Sequence, residues 1–243
     1  NHTRVYHTKP TYQTVLDAVT KQFHSGEGAI QFAPEAIARS NADILKDDEL
    51  RKEFIEIYSE QGKDEARNWI NSSYGPFSEE ELDHRMSRYG LNPCGEILGN
   101  DFHCNLAEVH LNQIDPGNFE EQKKAFKAAA LSVACLLNHE FEVERYRKSR
   151  EYDPIVGVSF TGLFDFCVHA FGTPWLKWWE AGRPNSEEGK AFKEKEAKFL
   201  DSWRKIVKET VWEYCDKHNL RRPNRCTTVQ PAGTKSLLTG AAP

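Results

Sequence analysis

Val15, Val19 and Phe23 recur at helical spacing within residues 11–24, and this run predicts a helix. Ser25-Gly26-Glu27-Gly28 breaks it, and Ala29-Ile30-Gln31-Phe32 reads as a short strand. Residues 34–69 are helix-rich and densely charged. Asp47-Asp48-Glu49 suits a helix N-terminus there, because the positive end of the helix dipole stabilises acidic groups. The acidic patches of this stretch are read as solvated faces.

The period changes after residue 104. Ala107, Val109 and Leu111 alternate with Glu108 and His110, which predicts a strand. Asp115-Pro116-Gly117-Asn118 is a turn, and Phe126, Ala130, Val133 and Leu137 mark the apolar face of a helix over 119–140. Residues 155–160 form a buried strand, followed by a helix through Leu163, Phe166 and Val168. Beyond the loop Gly182-Arg183-Pro184-Asn185, the positions Phe192, Phe199, Trp203, Ile206 and Tyr214 trace the longest amphipathic helix, ending near Asn219. Residues 226–230 read as a last strand. Strands and helices that alternate in this way predict an α/β fold with largely parallel pairing. No internal repeat interrupts the pattern.

Composition narrows the function classes. The chain has 243 residues, 28% of them charged, and a formal net charge of -5. With a mean hydropathy of -0.69 and a pI near 6.0, it has a large polar surface and no basic footprint for nucleic acid. No apolar run approaches the ~18 residues of a membrane span. Neither nucleic acid nor membrane is expected as a partner. Six cysteines lie far apart, with no Cys-x-x-Cys, which suits a reduced, cytoplasmic chain better than a disulfide scaffold. Cys135, Cys167 and Cys215 fall in apolar helical contexts and are expected in the core, whereas Trp175, Trp178 and Trp179 beside Pro174 read equally as a surface anchor, local packing or a binding site. The chain starts at Asn1 rather than at a methionine and stops directly after a motif, so an internal piece of a longer protein is expected.

Two stretches carry chemistry. In Asn92-Pro93-Cys94-Gly95-Glu96, an extended backbone would point Asn92, Cys94 and Glu96 to one side. That grouping offers an amide, a thiol and a carboxylate to one small volume, an arrangement suited to covalent or radical catalysis. An ordinary turn is the alternative, although the apolar flanks Leu91 and Ile97-Leu98 would tuck the loop into an interior. Cys104 is near enough in sequence to share that site or to be a small buried hydrophobe. A metal centre recruiting His103 and His110 fits no zinc-knuckle spacing, and no metal is expected. The second stretch is Pro231-Ala232-Gly233-Thr234-Lys235-Ser236, a small-residue turn after a strand. Such a turn exposes backbone N–H groups and hydroxyls that favour phosphate, or it merely caps a following helix.

Taken together, these residues resemble the large catalytic chain of ribonucleotide reductases. Asn92-x-Cys94-x-Glu96 is similar to that family's finger-loop signature, and Pro231-x-x-Thr234-x-Ser236 to its substrate-phosphate loop. Cys104-Asn105-Leu106-Ala107-Glu108-Val109-His110-Leu111-Asn112 and Gly157-Val158-Ser159-Phe160-Thr161-Gly162-Leu163 fall between them in family order. The wording Asn-Pro-Cys-Gly-Glu-Ile and Pro-Ala-Gly-Thr-Lys-Ser-Leu-Leu-Thr-Gly-Ala looks most like the adenosylcobalamin-dependent class (class II), particularly its ribonucleoside-triphosphate branch.

The resemblance implies part of a ten-stranded α/β barrel with a central finger loop, of which this chain holds only the middle and later strands. Residues 1–243 would be a single partial domain, with 1–89 a helix-rich lead-in and 90–243 running from finger loop to phosphate loop. It implies Cys94 as the thiyl radical that removes the ribose 3′ hydrogen, Glu96 as general base, and Asn92 as the group that orients the ribose. Cys104 would be one half of a redox disulfide, and 231–236 would hold the substrate phosphates. Adenosylcobalamin is the implied cofactor, with its binding surface mostly outside this chain. The implied partners are a ribonucleotide, deoxynucleotide effectors, thioredoxin or a similar dithiol, and the remaining parts of the same protein. The isolated chain is expected to be inactive. The iron- or manganese-radical class I large chain shares both motifs, whereas the glycyl-radical class is disfavoured by Glu96. A non-catalytic nucleotide-phosphate-binding module is the alternative outside enzymes.

Overall fold

The computed structural model describes residues 3–26 and 28–242, and these form two compact units that divide after Phe102. Glu27, within the expected break at 25–28, lies outside the described residues.

In the first unit, strand β1 (Thr3–Tyr6) pairs in parallel with β2 (Ala29–Phe32), with Thr3 opposite Ala29 and Tyr6 opposite Phe32. The crossover between them is helix α1 (Tyr12–Ser25), started by Thr11, whose hydroxyl accepts from the Thr14 N–H at 3.2 Å. Strand β1 has no counterpart in the sequence reading, because four residues at a chain end carry too short a period to register. Four helices follow: α2 (Ala33–Ser40), α3 (Asp48–Gln61), α4 (Lys63–Tyr74) and α5 (Glu79–Met86). Asp47 caps α3, accepting from Glu49 N at 3.1 Å and Leu50 N at 2.9 Å, which is the N-terminal role its sequence implied. Ile37, Leu45, Phe54, Ala66, Ile70, Leu82 and Met86 form the unit's apolar centre. Beside them two arginines, Arg85 and Arg88, are buried. Both guanidinium groups donate to the Asn41 amide oxygen, at 3.0 and 3.1 Å. A small antiparallel hairpin, β3 (Gly90–Leu91) with β4 (Leu98–Gly99), ends the unit.

The second unit is built on β5 (Leu106–His110) and β6 (Gly157–Thr161), parallel and in register from Leu106–Gly157 to His110–Thr161. Gly157 is required by close approach: a Cβ there would sit 2.6 Å from Leu106 Cδ2 and 2.9 Å from Thr228 Cγ2. The connection between the strands runs through α6 (Phe119–Cys135) and α7 (Glu144–Tyr152). α6 is shorter than the 119–140 expected, because the chain tightens into a 3-10 turn at Leu136–Asn138. Helix α8 (Leu163–Glu180) kinks at Gly172, and α9 (Glu187–Lys217) is the longest. α6 packs on α9 through Phe126 and Trp203, whose rings stack 5.0 Å apart. Trp203 Nε1 donates to Gln122 Oε1 at 3.0 Å, so the indole is buried without an orphaned donor.

The expected strand at 226–230 is reduced to a single parallel bridge between Val158 and Thr227. Val158 N donates to Cys226 O at 3.0 Å and Thr228 N to Val158 O at 3.1 Å. Beyond that, Gln230 N turns to the Ser159 hydroxyl at 3.0 Å, which ends the ladder. The described residues therefore form a mixed α/β fold of three two-stranded sheets.

Candidate functional site

Residues 92–96 close the β3–β4 hairpin as a turn, not as the extended segment the spacing suggested. Gly95 N donates to Asn92 O at 3.0 Å, the bond that defines a four-residue β-turn. Gly95 takes φ 78°, the left-handed conformation that closes such a turn and that side-chain-bearing residues avoid. Asn92 spends its amide oxygen within the hairpin, accepting from Ile97 N at 3.0 Å, while Asn92 N donates to Ile97 O at 3.3 Å. The expectation of a buried loop holds only at its base, where Ile97 is buried. Pro93, Cys94 and Gly95 are exposed within their unit and Glu96 is half-buried. A tip of Pro-Cys-Gly has too little apolar side chain to bury.

The hairpin presents one accessible thiol at its hydrogen-bonded tip. A Cβ added at Gly95 meets nothing within 4 Å, so Gly95→Ala tests backbone strain alone. It should cost about 1–2 kcal/mol in urea unfolding. No loss would mean that the turn relaxes freely and does not hold Cys94 in place.

The thiols divide by environment. Burial pushes Cys167 and Cys226 up to about 12 and Cys215 up to about 11, so these three stay protonated and act as core atoms. Cys94, Cys104 and Cys135 are exposed. Exposure of Cys135 corrects its expected place in the core: it lies at the end of α6, on the face turned away from Val133 and Ala134.

In the second unit, 231–236 is not a turn that leads into a helix. A 3-10 helix spans Gly233–Leu238, most of the motif itself. Ser236 is buried, and its hydroxyl donates to Gly233 O at 2.7 Å, which fixes the turn from inside. Pro231, Gly233 and Thr234 are exposed, Ala232 is buried, and Lys235 is half-buried.

The residues that hold this loop were not singled out by sequence. Glu108 on β5 accepts from Gln230 Nε2 at 2.7 Å and pairs with Lys235 Nζ at 2.8 Å. His110 Nδ1 and Thr239 Oγ1 share a hydrogen bond of 2.8 Å, and Asn112 Nδ2 donates to Thr239 O at 2.8 Å. Ala242 N donates to Asp165 Oδ2 at 2.7 Å, and Gly162 N to Ala242 O at 3.2 Å. The loop thus lies against the strands toward their C-terminal ends, where ligands of parallel α/β sheets bind. The polar positions of the Ala107–Leu111 alternation were the available signal: Glu108 reaches Lys235 within the loop and His110 reaches Thr239 just beyond it. Cys104 sits two residues ahead of β5, whereas on this stretch Glu108 meets the loop and His110 and Asn112 hold Thr239 after it.

No family model matches the chain. Among curated proteins it is 31% identical over 159 residues to the adenosylcobalamin-dependent ribonucleoside-triphosphate reductase of Lactobacillus gasseri, which is 63% of this chain and 21% of that protein. With the enzyme of the same name from Lactobacillus acidophilus it is 28% identical over 191 residues, 74% of this chain and 24% of the relative. Over these spans the chain is homologous to class II ribonucleotide reductases. A crystal structure of a B-12 dependent (class II) ribonucleotide reductase aligns at 25% identity, covering 64% of this chain and 22% of that one, with a TM-score of 0.46. The chain spans about a fifth to a quarter of the length of the class II relatives it matches.

The relatives' names imply a corrinoid. Among the described residues, the hollows beneath Trp179 and beside β5 offer about 430 and 450 Å³ and are open to solvent, so neither by itself would enclose a corrin macrocycle with its nucleotide tail. Among the described residues, no helix is long and apolar enough to cross a membrane.

Proposed function

We propose that this chain carries catalytic residues of a ribonucleotide reductase that converts ribonucleoside triphosphates to 2′-deoxyribonucleotides by radical chemistry. The observation that supports it is an accessible thiol, Cys94, at the tip of a braced hairpin in a chain homologous to class II reductases. Both units would belong to one catalytic α/β barrel with the 92–96 turn as its finger loop.

Each residue then has a role that its chemistry permits. Cys94 as a thiyl radical takes the hydrogen from ribose C3′, forming an S–H bond and leaving the radical on carbon. Glu96 accepts the proton of the 3′ hydroxyl while the 2′ hydroxyl takes a proton from the Cys104-containing thiol pair and leaves as water; at the end Glu96 returns its proton and the Cys94 thiol returns the hydrogen to C3′. Asn92, already braced against Ile97, orients the ribose hydroxyls. Cys104 supplies one thiol of a pair that gives up two electrons and two protons and ends as a disulfide. No cysteine precedes Cys94, so the second thiol is not upstream of it in these 243 residues. The backbone N–H groups of Ala232, Gly233 and Thr234, with the Thr234 hydroxyl and Lys235, hold the phosphates. Radical generation is the chemistry that adenosylcobalamin would supply, and no step of it is assigned to this chain's residues. A dithiol protein such as thioredoxin, and deoxynucleotide effectors, are the partners this function calls for.

A chimera tests the proposal. The matched segment of the Lactobacillus gasseri reductase is replaced by the corresponding segment of this chain, and triphosphate reduction with adenosylcobalamin and a dithiol is measured. Deoxynucleotide formation is the expected result. A folded, cobalamin-binding chimera without activity would sink the proposal. The chain by itself, about a fifth of those relatives in length, is expected to show no turnover.

A further inference from the structure

Glu108 is 95% hidden from solvent in its side chain, with only 5% exposed, yet it contacts the phosphate loop's single charge. Lys235 is the only charged residue between positions 227 and 242. Its ammonium lies 2.8 Å from Glu108 Oε2, and Gln230 Nε2 donates to the same oxygen at 2.7 Å. Among the described residues the other oxygen, Oε1, accepts no hydrogen bond and faces His110 Nε2 at 3.9 Å. A buried carboxylate therefore ties both ends of the loop to β5 and cancels the charge that an anion would seek.

We propose that Glu108 is a positioning residue that sets the phosphate affinity and selectivity of 231–236 by holding and neutralising Lys235. This rests on the reading of that loop as phosphate-binding. An ammonium has three donors, so Lys235 can keep Glu108 while it reaches a phosphate, but the carboxylate weakens its pull. Backbone N–H groups and hydroxyls then carry more of the binding than charge does. An anion recognised by charge alone gains little from such a loop. A nucleotide that also engages the ribose-binding groups gains more, so the neutralised lysine favours whole substrates over free phosphates.

The decisive measurement is titration of this chain with inorganic tripolyphosphate by calorimetry at several KCl concentrations. Glu108→Gln keeps the shape and an acceptor for Gln230 while removing the charge. It should bind tripolyphosphate roughly tenfold more tightly than the parent, with a steeper loss of affinity as salt rises. The gain should vanish in the E108Q/K235Q double variant, because it acts through the lysine. Equal affinity and equal salt dependence in parent and E108Q, or weaker binding by E108Q, would overturn the role of Glu108 and leave the phosphate loop standing. A gain that persists without Lys235 overturns it too. Absence of tripolyphosphate binding in parent and E108Q alike would remove the phosphate-loop reading, and this inference with it.

Discussion

Cys94→Ser in the reductase chimera should abolish deoxynucleotide formation, by at least ~10³-fold in kcat, which corresponds to roughly 4 kcal/mol of lost transition-state stabilisation. The thiol S–H bond is weak enough to be exchanged for a ribose C–H bond, whereas the serine O–H bond is far too strong. Geometry makes the experiment clean. Cys94 is exposed at the tip of the turn, and Asn92, Gly95 and Ile97 make the hydrogen bonds that close the turn. Stability should therefore change by no more than about 0.5 kcal/mol. Glu96→Gln should lose about 10²–10⁴-fold, the ordinary reach of a general base, without losing nucleotide binding. Residual turnover by Cys94→Ser within tenfold of the parent chimera would refute a thiyl radical at this position.

Arg85→Met should be the most damaging single change to the fold of the first unit, costing about 3–5 kcal/mol in urea unfolding. The guanidinium is 2% exposed and donates to Asp43 from both terminal nitrogens, at 3.1 and 2.8 Å. It also donates to Glu81 at 2.9 Å and to Asn41 at 3.0 Å, and lies 4.4 Å over the Phe77 ring. Methionine keeps the apolar stem but strips two partly buried carboxylates of their counter-charge. Burial alone would raise the Asp43 carboxyl, but the hydrogen bond and charge of Arg85, with the charge of Arg88, outweigh it and hold Asp43 below its ordinary value of 3.8. A depressed carboxylate contributes stability that is present above the ordinary value and lost as pH falls through the lowered one. The penalty of Arg85→Met should accordingly be largest near neutral pH and shrink in acid. A loss below 1 kcal/mol at pH 7, or one unchanged in acid, would contradict this account.

Much of the fold was legible because the period of apolar residues reports which face is buried. The α1 helix, β2, the Asp47 cap, β5, β6 and the long α9 all appear where their patterns put them, within the usual slippage at ends. The 226–230 strand failed for a physical reason: β-branched residues suit a strand, but a strand also needs a neighbour along its whole length. Here Ser159 captures Gln230 N, and the ladder stops at one bridge. The site divides similarly. The types at 92, 94 and 96 were readable as chemistry, while their presentation was not, because Pro93 and Gly95 suit a tight turn better than an extended edge.

The sequence by itself determined which reactive groups the chain carries and in what order: an amide, a thiol and a carboxylate at fixed spacing, followed by a small-residue motif at 231–236. It also determined the helices whose apolar stripes repeat over several turns. Only the tertiary structure decided what surrounds those groups. Glu108 meets Lys235 across more than a hundred residues, and Ser236 turns inward to its own backbone. Cys94 stands exposed while Cys226 is buried. Burial and charge pairing between distant segments leave no local period in the chain, which is why the pairing of Lys235 with Glu108 could be seen only once β5 had been laid beneath it.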